Sequence, residues 1–383
     1  MFAEKDTDRL KDQFEKEFKD FKRNIKKPNI LILGGTGVGK STLINMVFGD
    51  DTVKTGEGKP ITKGINRIAP ENKDIVLYDT EGFELGDENN TKFKNEIIGF
   101  VKERQNEPLE NQIHIVWQVI AASSNRVTDY DKELNKVIKD LGIPIAVIFS
   151  KCDEVSMDDT EKSVKELFEF SSFDQIFQSA ESPFFATTVQ EMQESEDNLN
   201  VSKIVNWSIG QLPDMLVDGF VAAQVSNLSA KRNKADSIIL QHSGANALVG
   251  FSPIPFSDAP ILITSQTGML VRILYVYGMG DAKSIAKGIM TTSGTSIVIS
   301  NLGKSIVGNL LKCIPGVGTA VGGAINAGVA SAITYAMGKA SSELTYQFLK
   351  SNLSKHTDVI GDFAKLFNDN FEQLFKTYYK KNQ

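Results

Sequence analysis

The sequence predicts an α/β domain built on a mostly parallel sheet, followed by a mostly α-helical C-terminal domain. Three observations lead there. Short apolar, β-branched-rich runs alternate with helix-period segments through the first half of the chain. That alternation stops after about residue 212, and from there Gly, Ala, Ser and Thr become dense among apolar residues. The length of 383 residues also exceeds what one hydrophobic core usually serves.

The elements follow in order. Leu10, Phe14, Phe18, Phe21 and Ile25 recur at helical spacing on a Lys/Glu/Asp background, so residues 1–27 form an amphipathic N-terminal helix that Pro28 ends. Asn29–Leu33 reads as a short buried strand that runs into a glycine-rich turn. Asp74–Tyr78, Ile113–Ile120, Ile145–Phe149 and Pro183–Ala186 have the same strand character, and Asp131–Leu141 has helical period. Strand, helix, strand order favours a parallel sheet covered on both faces and assigns residues 28–212 to one domain. Residues 213–383 form the helical domain, closing with a helix whose apolar face is Phe363, Leu366, Phe367, Phe371, Leu374, Phe375 and Tyr378.

Composition excludes some classes. With 41% hydrophobic and 23% charged residues, the chain is an ordinary folded protein rather than a disordered or fibrous one. A net charge of -6 offers no global attraction for a polyanion, and residues 1–27 carry 9 basic against 7 acidic residues, the pattern of a solvated face. Nucleic acid is therefore not an expected partner. Two cysteines, Cys152 and Cys313, and a charged N-terminal stretch suit a reducing cytoplasm.

The chemistry is concentrated in the α/β half. Gly34–Ser41 fits G-x-x-x-x-G-K-[ST] between a strand and a helix that begins at Thr42, which is the context a phosphate-binding loop requires. Gly35, Thr36, Gly37, Val38 and Gly39 would turn backbone N–H groups around a β-phosphate, with the helix N-terminus at Thr42 adding partial positive charge. Lys40 would bridge β- and γ-phosphate oxygens and the Ser41 hydroxyl would ligate Mg²⁺. Asp79–Gly82 matches D-x-x-G after a strand: Asp79 would hold Mg²⁺ through water and the Gly82 N–H would read the γ-phosphate. Thr62 lies on what reads as a loop between these two motifs, where a second Mg²⁺-coordinating hydroxyl belongs. The candidate catalytic set is thus Lys40, Thr62, Asp79 and Gly82, and the candidate metal ligands are Ser41, Thr62 and Asp79.

Base choice rests on Ser150–Asp153, which fits [NST]-K-x-D. The Asp153 carboxylate can accept both N1–H and the 2-amino N–H of guanine, whereas adenine has an N1 acceptor and no 2-amino group. Lys151 would pack its stem along the base, Ser150 stands where many such elements have Asn, and Ala186 and Thr187 occupy the expected base-backing loop.

Through Gly34–Ser41, Thr62, Asp79–Gly82 and Ser150–Asp153, residues 28–190 resemble the Era-like branch of the translation-factor-type P-loop GTPases. The resemblance implies binding of GTP and GDP with Mg²⁺ and hydrolysis of GTP to GDP and phosphate. Gly56–Thr62, Ile113–Trp117 and Gly250–Asp258 are similar to bacterial GTPases that carry a C-terminal helical domain of unknown function, number 697 in domain nomenclature. That likeness implies a nucleotide-dependent switch with an intrinsic helical effector domain. Septins and immunity-related GTPases share features of the switch and base-reading loops, so a self-assembling GTPase acting at membranes is the alternative. An ATP-dependent kinase or transport ATPase is a third class, which the guanine-reading Asp153 disfavours.

Two details refine the expectation. Many GTPases place a water-orienting Gln after D-x-x-G, but Phe83 follows Gly82 here, so turnover is expected to be slow without a partner or self-association in the GTP state. Gly37 stands where potassium-recruiting relatives have Asn, so potassium is not expected. In the helical domain, Cys313–Gly338 carries no charge and is long enough to cross the roughly 30 Å of a bilayer core. Ala320, Ala324, Gly328, Ala332, Ala336 and Ala340 make a small-residue stripe, and Gly288–Gly303 is also uncharged. The segment is rich in Gly, Thr, Ser and Asn and poor in Leu and Phe, so a hairpin around Pro315 packed inside a soluble domain is favoured over a membrane span, with membrane-surface binding between them.

Overall fold

The computed structural model describes residues 2–49, 52–53, 59–62, 64–71, 73–80, 87–124, 127–151, 184–186, 201–249, 259–279, 309, 327–352 and 359–381. By its internal contacts the chain divides into two compact units, Lys26–Asn227 and a discontinuous one made of Met1–Ile25 with Leu228–Gln383.

In Lys26–Asn227 a seven-stranded sheet has the order β2-β3-β4-β1-β5-β6-β7. Its strands are β1 (Asn29–Leu33), β2 (Lys59–Thr62), β3 (Ile65–Ile68), β4 (Val76–Thr80), β5 (Ile115–Ala121), β6 (Ile145–Ser150) and β7 (Phe184–Ala186). β4, β1, β5, β6 and β7 are parallel, while β2 and β3 are joined antiparallel at one edge. Every residue of β1, β5 and β6 is buried, as strands covered on both faces require. The helices here are α2 (Lys40–Phe48), α3 (Asp87–Gln105), α4 (Asp129–Asp140), α5 (Ser202–Gln211) and α6 (Asp214–Ala223). α4 begins in a capping box: Asp131 N–H donates to Thr128 Oγ1, and the Asp131 carboxylate accepts from Thr128 N–H at 2.9 Å. Leu134 and Ile138 of α4 and Ile97, Phe100 and Val101 of α3 then close one face of the sheet.

The strands expected from the sequence are present, with one shift of consequence. The strand expected at Asp74–Tyr78 runs from Val76 to Thr80, so Asp79 lies inside β4 rather than after it. The Gly58–Thr62 loop is also corrected, because Lys59–Thr62 pairs with Ile65–Ile68 as an antiparallel edge. Pro60 and the polar Asn66 and Arg67 hide the alternation that marks a strand; an edge strand tolerates such a proline.

The second unit comprises α1 (Phe2–Asn24), α7 (Leu228–Val249), α8 (Ala259–Val276), α9 (Ala327–Asn352) and α10 (Val359–Lys381). α1 belongs to it: Phe14 and Phe18 are buried, Phe21 meets Tyr275 of α8 edge-on at 5.0 Å, and Lys22 lies 5.1 Å over the same ring. The Asp236–Lys339 and Arg232–Glu343 ion pairs, at 2.9 and 2.5 Å, step forward along α7 and backward along α9, so these helices run antiparallel. Ala332, Ala336 and Ala340 of the small-residue stripe are buried on α9. Nearby Gly338 is so close to α7 that a Cβ would stand 2.6 Å from Ile239 Cγ1. No described helix is long and apolar enough to cross a membrane. Gly288–Gly303 and Cys313–Ile325 lie outside the described residues.

Candidate nucleotide site

Parallel strands bring their carboxyl ends to one edge of the sheet, the edge where open α/β sheets bind ligands. β1 delivers Gly34–Gly39, β4 delivers Asp79, β6 delivers Ser150 and Lys151, and β7 ends at Ala186. Thr62 closes β2 at the same edge, in register with Ile65 of β3, which is itself in register with Thr80 of β4. Gly82, Asp153 and Thr187 lie outside the described residues, and of Thr62 and Ala186 only the backbone is described.

The glycines of the loop have separate reasons to be glycine. At Gly34 a Cβ would stand 2.5 Å from the Val119 carbonyl oxygen, so β1 and β5 meet there backbone to backbone. Gly37 at φ 74° and Gly39 at φ 96° are in the left-handed region, and Gly39 is the N-cap of α2. Thr36, Gly37 and Thr42 are exposed, Gly35, Val38 and Ser41 are half-buried, and Lys40 is buried at the first turn of α2. The Lys40 ammonium donates to Gly34 O at 3.0 Å and Gly35 O at 2.9 Å, holding the loop curled over it.

Beneath the loop sit two desolvated charges. Burial pushes the Asp79 carboxyl up to about 6, against the downward pull of the Lys40 charge. Burial likewise lowers Lys40, against the upward pull of Asp79. Desolvation outweighs mutual attraction in both, so neither charge is compensated by the other alone. Asp79 Oδ1 is buried and makes no hydrogen bond. Such a pair fits a ligand that brings both signs: an anion for Lys40 and a cation for Asp79. The hydroxyl of Ser41 and the carboxylate of Asp79 are hard oxygen donors suited to Mg²⁺. Among the described residues no group of three or more His, Cys, Asp or Glu could hold a metal, and Mg²⁺ on a phosphate needs no such cage.

A family model described as a 50S ribosome-binding GTPase matches residues 29–151, the span from β1 to the base-reading loop. These residues are a P-loop GTPase domain. Relatives agree at the level of this domain. The probable GTP-binding protein EngB of Aquifex aeolicus is 27% identical over 143 residues, covering 37% of this chain and 74% of the relative. Its namesake from Mycoplasma genitalium is 28% identical over 144 residues, 37% of this chain and 71% of that one. Magnetosome membrane protein 22 of Magnetospirillum gryphiswaldense is 23% identical over 149 residues, 39% of this chain and 70% of that one. Of solved structures, a probable GTP-binding protein engB matches with 21% identity over 42% of this chain and 88% of its own, at a TM-score of 0.32. Aquifex aeolicus Era bound to GDP and aluminium fluoride matches with 18% identity over 56% and 68%, at 0.34.

Two contacts of the GTPase domain were not foreseen. Ser150 Oγ donates to Val38 O, so the side chain that replaces Asn ties the base-reading strand to the phosphate loop. Lys151 follows at φ 55°, the left-handed region, where a side chain is costly and a site can hold one. Thr80 Oγ1 donates to Ile32 O at 3.0 Å, locking β4 to β1 one residue beyond Asp79. The sequence signal for Thr80 was its place inside D-x-x-G; nothing local distinguishes it from any strand threonine.

Proposed function

We propose that the chain binds GTP with Mg²⁺, hydrolyses it to GDP and phosphate, and uses the nucleotide state as a switch, with the helical unit as its effector part. The observation that carries this reading is Lys40, buried under a glycine loop, with the half-buried Asp79 nearby, whose Oδ1 is buried and makes no hydrogen bond. Lys40 neutralises charge on the transferring phosphoryl group, the N-terminus of α2 adds its partial positive charge, and Gly82 N–H orients the γ-phosphate. Mg²⁺, when bound, supplies further neutralisation of the phosphate oxygens, held through Ser41, Thr62 and Asp79. Asp153 with Lys151 selects guanine, Ser150 holds the loop to the base-reading strand, and Ala186 and Thr187 back the base.

Turnover by the isolated chain is slow, because Phe83 can neither orient nor activate water; a partner or a second copy in the GTP state supplies the missing group. The ribosome named in the family description is not carried over, since a net charge of -6 and a mixed-charge N-terminal helix favour no polyanion. We place the protein in the cytoplasm, with any membrane contact at the surface and through the helical unit. Labelled GTP should stay bound in excess ATP, and Lys40→Ala should abolish turnover while leaving the fold intact by circular dichroism. Asp153→Asn should exchange preference from GTP towards xanthosine triphosphate; equal loss of both nucleotides would remove Asp153 from base recognition.

A further inference from the structure

We infer that α6 is a relay that carries the nucleotide state of the phosphate-loop helix α2 to the helical unit; this rests on the GTP-binding reading above. One end of α2 carries Lys40 and Ser41. Its other end is clasped. The Phe48 ring stacks on Trp117 at 5.9 Å and receives Phe220 of α6 edge-on, also at 5.9 Å, with all three rings fully buried. Just past α6, Val225 N–H donates to Val47 O at 2.8 Å, a backbone bond onto the last turn of α2. The buried Lys73 ammonium donates to Phe48 O and, at 3.3 Å, to Thr52 Oγ1, which fixes the same turn from below. A close-packed contact of this kind does not deform continuously, so α6 follows when α2 shifts.

An adjacent face of α6 meets the chain that arrives from α1. A Cβ on Gly219 would stand 2.9 Å from Lys26 O, 3.1 Å from Asp74 O and 3.3 Å from Pro28 Cδ, so the inbound segment crosses α6 at backbone distance. Lys27–Asp74 and Lys26–Glu110 ion pairs, at 3.5 and 3.4 Å, hold that segment down. The outbound segment is pinned as firmly. Gln224 Nε2 donates to Asn227 O at 2.9 Å and Gln224 Oε1 accepts from Asn227 N–H at 2.8 Å, while Asn227 Nδ2 donates to Asn206 Oδ1 at 3.1 Å and Ser202 O at 3.3 Å. Gln224 and Asn227 are buried, unlike the solvated, small-residue composition of a free linker. Both covalent crossings into the helical unit, Ile25 to Lys26 and Asn227 to Leu228, therefore start from segments gripped by, or continuous with, one helix that also grips α2.

The test is amide exchange on the full chain loaded with GDP or with a non-hydrolysable GTP analogue. Saturable binding of labelled GTP is measured first, so that failure to bind is seen separately and overturns the binding reading together with the relay. In the wild type, amides at the start of α7 and the end of α1 should exchange about fivefold differently in the two states, the low end of typical coupling. Phe220→Leu loosens the α2 side and Gly219→Ala wedges the inbound side. Each should shrink that difference below about twofold while both nucleotides still bind. Trp117 emission, read after Trp207→Phe leaves it as the single tryptophan, should change with nucleotide and lose that change in Phe220→Leu. Nucleotide-independent exchange in a wild type that binds both ligands would overturn the relay whatever the variants do. Undiminished coupling in either folded variant would reduce α6 to a structural cover.

Discussion

In the GTPase domain the closest approaches are made by backbone; in the helical unit they are made by side chains. A Cβ at Gly34 would stand 2.5 Å from a carbonyl oxygen of the adjacent strand, whereas one at Gly338 would meet Ile239 Cγ1 at 2.6 Å and Met269 Sδ at 3.1 Å. Strand packing explains the first: the Val119 carbonyl of β5 occupies the space a Gly34 Cβ would need, so β1 can enter the loop there only without a side chain. Helix packing explains the second, because α7 and α9 approach through a small residue and then zip with the Asp236–Lys339 and Arg232–Glu343 pairs. Closeness at Gly34 is thus fixed by main chain that cannot step aside, while at Gly338 it depends on side chains that can repack.

The largest effect should come from the aromatic ladder of α10, where Phe363, Phe367, Phe371 and Phe375 are buried and the Phe367 and Phe371 rings stack at 4.8 Å. Phe371→Ala should cost about 4 kcal/mol, the ordinary price of a large aromatic cavity. Amide exchange should place the loss in α9 and α10 and leave β1, β5 and β6 protected. Simultaneous loss of protection in the sheet would mean that the two units do not unfold separately.

Next comes a direct contrast of the two glycines. Gly34→Ala should destabilise the GTPase domain by about 3 kcal/mol, since the opposing atom is backbone and cannot step aside. Gly338→Ala should cost only about 1 kcal/mol, because Ile239 and Met269 can rotate and Ala favours the helix. Denaturant titrations of both variants would sharpen the comparison; the reverse order would break it.

The smallest effect concerns pH and the opposite end of the sheet. Burial lowers the pKa of His114 from its ordinary value of 6.5, outweighing the hydrogen bond to Leu109 O that acts the other way. As a neutral ring it accepts from Asn29 N–H through Nδ1 at 2.8 Å and donates to Leu109 O through Nε2 at 2.8 Å. Between the ordinary value and the lower folded one, the unfolded chain binds more protons. Its contribution to stability is therefore complete above about 6.5 and is lost as pH falls towards the folded value. Unfolding midpoints compared from about pH 7 to about pH 5 should drop more steeply in the wild type than in His114→Gln. Equal slopes would assign the acid sensitivity to other groups.

Much of the GTPase domain was legible because its motifs are local. Gly34–Ser41 must follow a strand and open a helix, and β1 and α2 do flank it. β2 and β3 were not legible, since Lys59–Thr62 contains Pro60 and Ile65–Ile68 has a polar centre, so neither shows an apolar alternation. In the helical unit, the α10 spacing predicted its inward face, where Phe363, Phe367, Phe371 and Phe375 are buried and Leu366, Leu374 and Tyr378 half-buried, yet the periodicity of α1 could not say against which part of the chain it packs.

By itself, then, the sequence determined the order of strand and helix, the glycine loop, the amphipathic faces and the residue types suited to phosphate, Mg²⁺ and guanine. These depend on neighbours a few positions apart, where steric freedom and side-chain period act directly. Only the tertiary structure decided that α1 joins residues 228–383, that Asp79 lies within β4 with a buried unpartnered oxygen, that Ser150 holds Val38, and that α6 grips the far end of α2. Each of those joins groups distant in sequence, and desolvation and packing act on such groups only after the chain has folded them together.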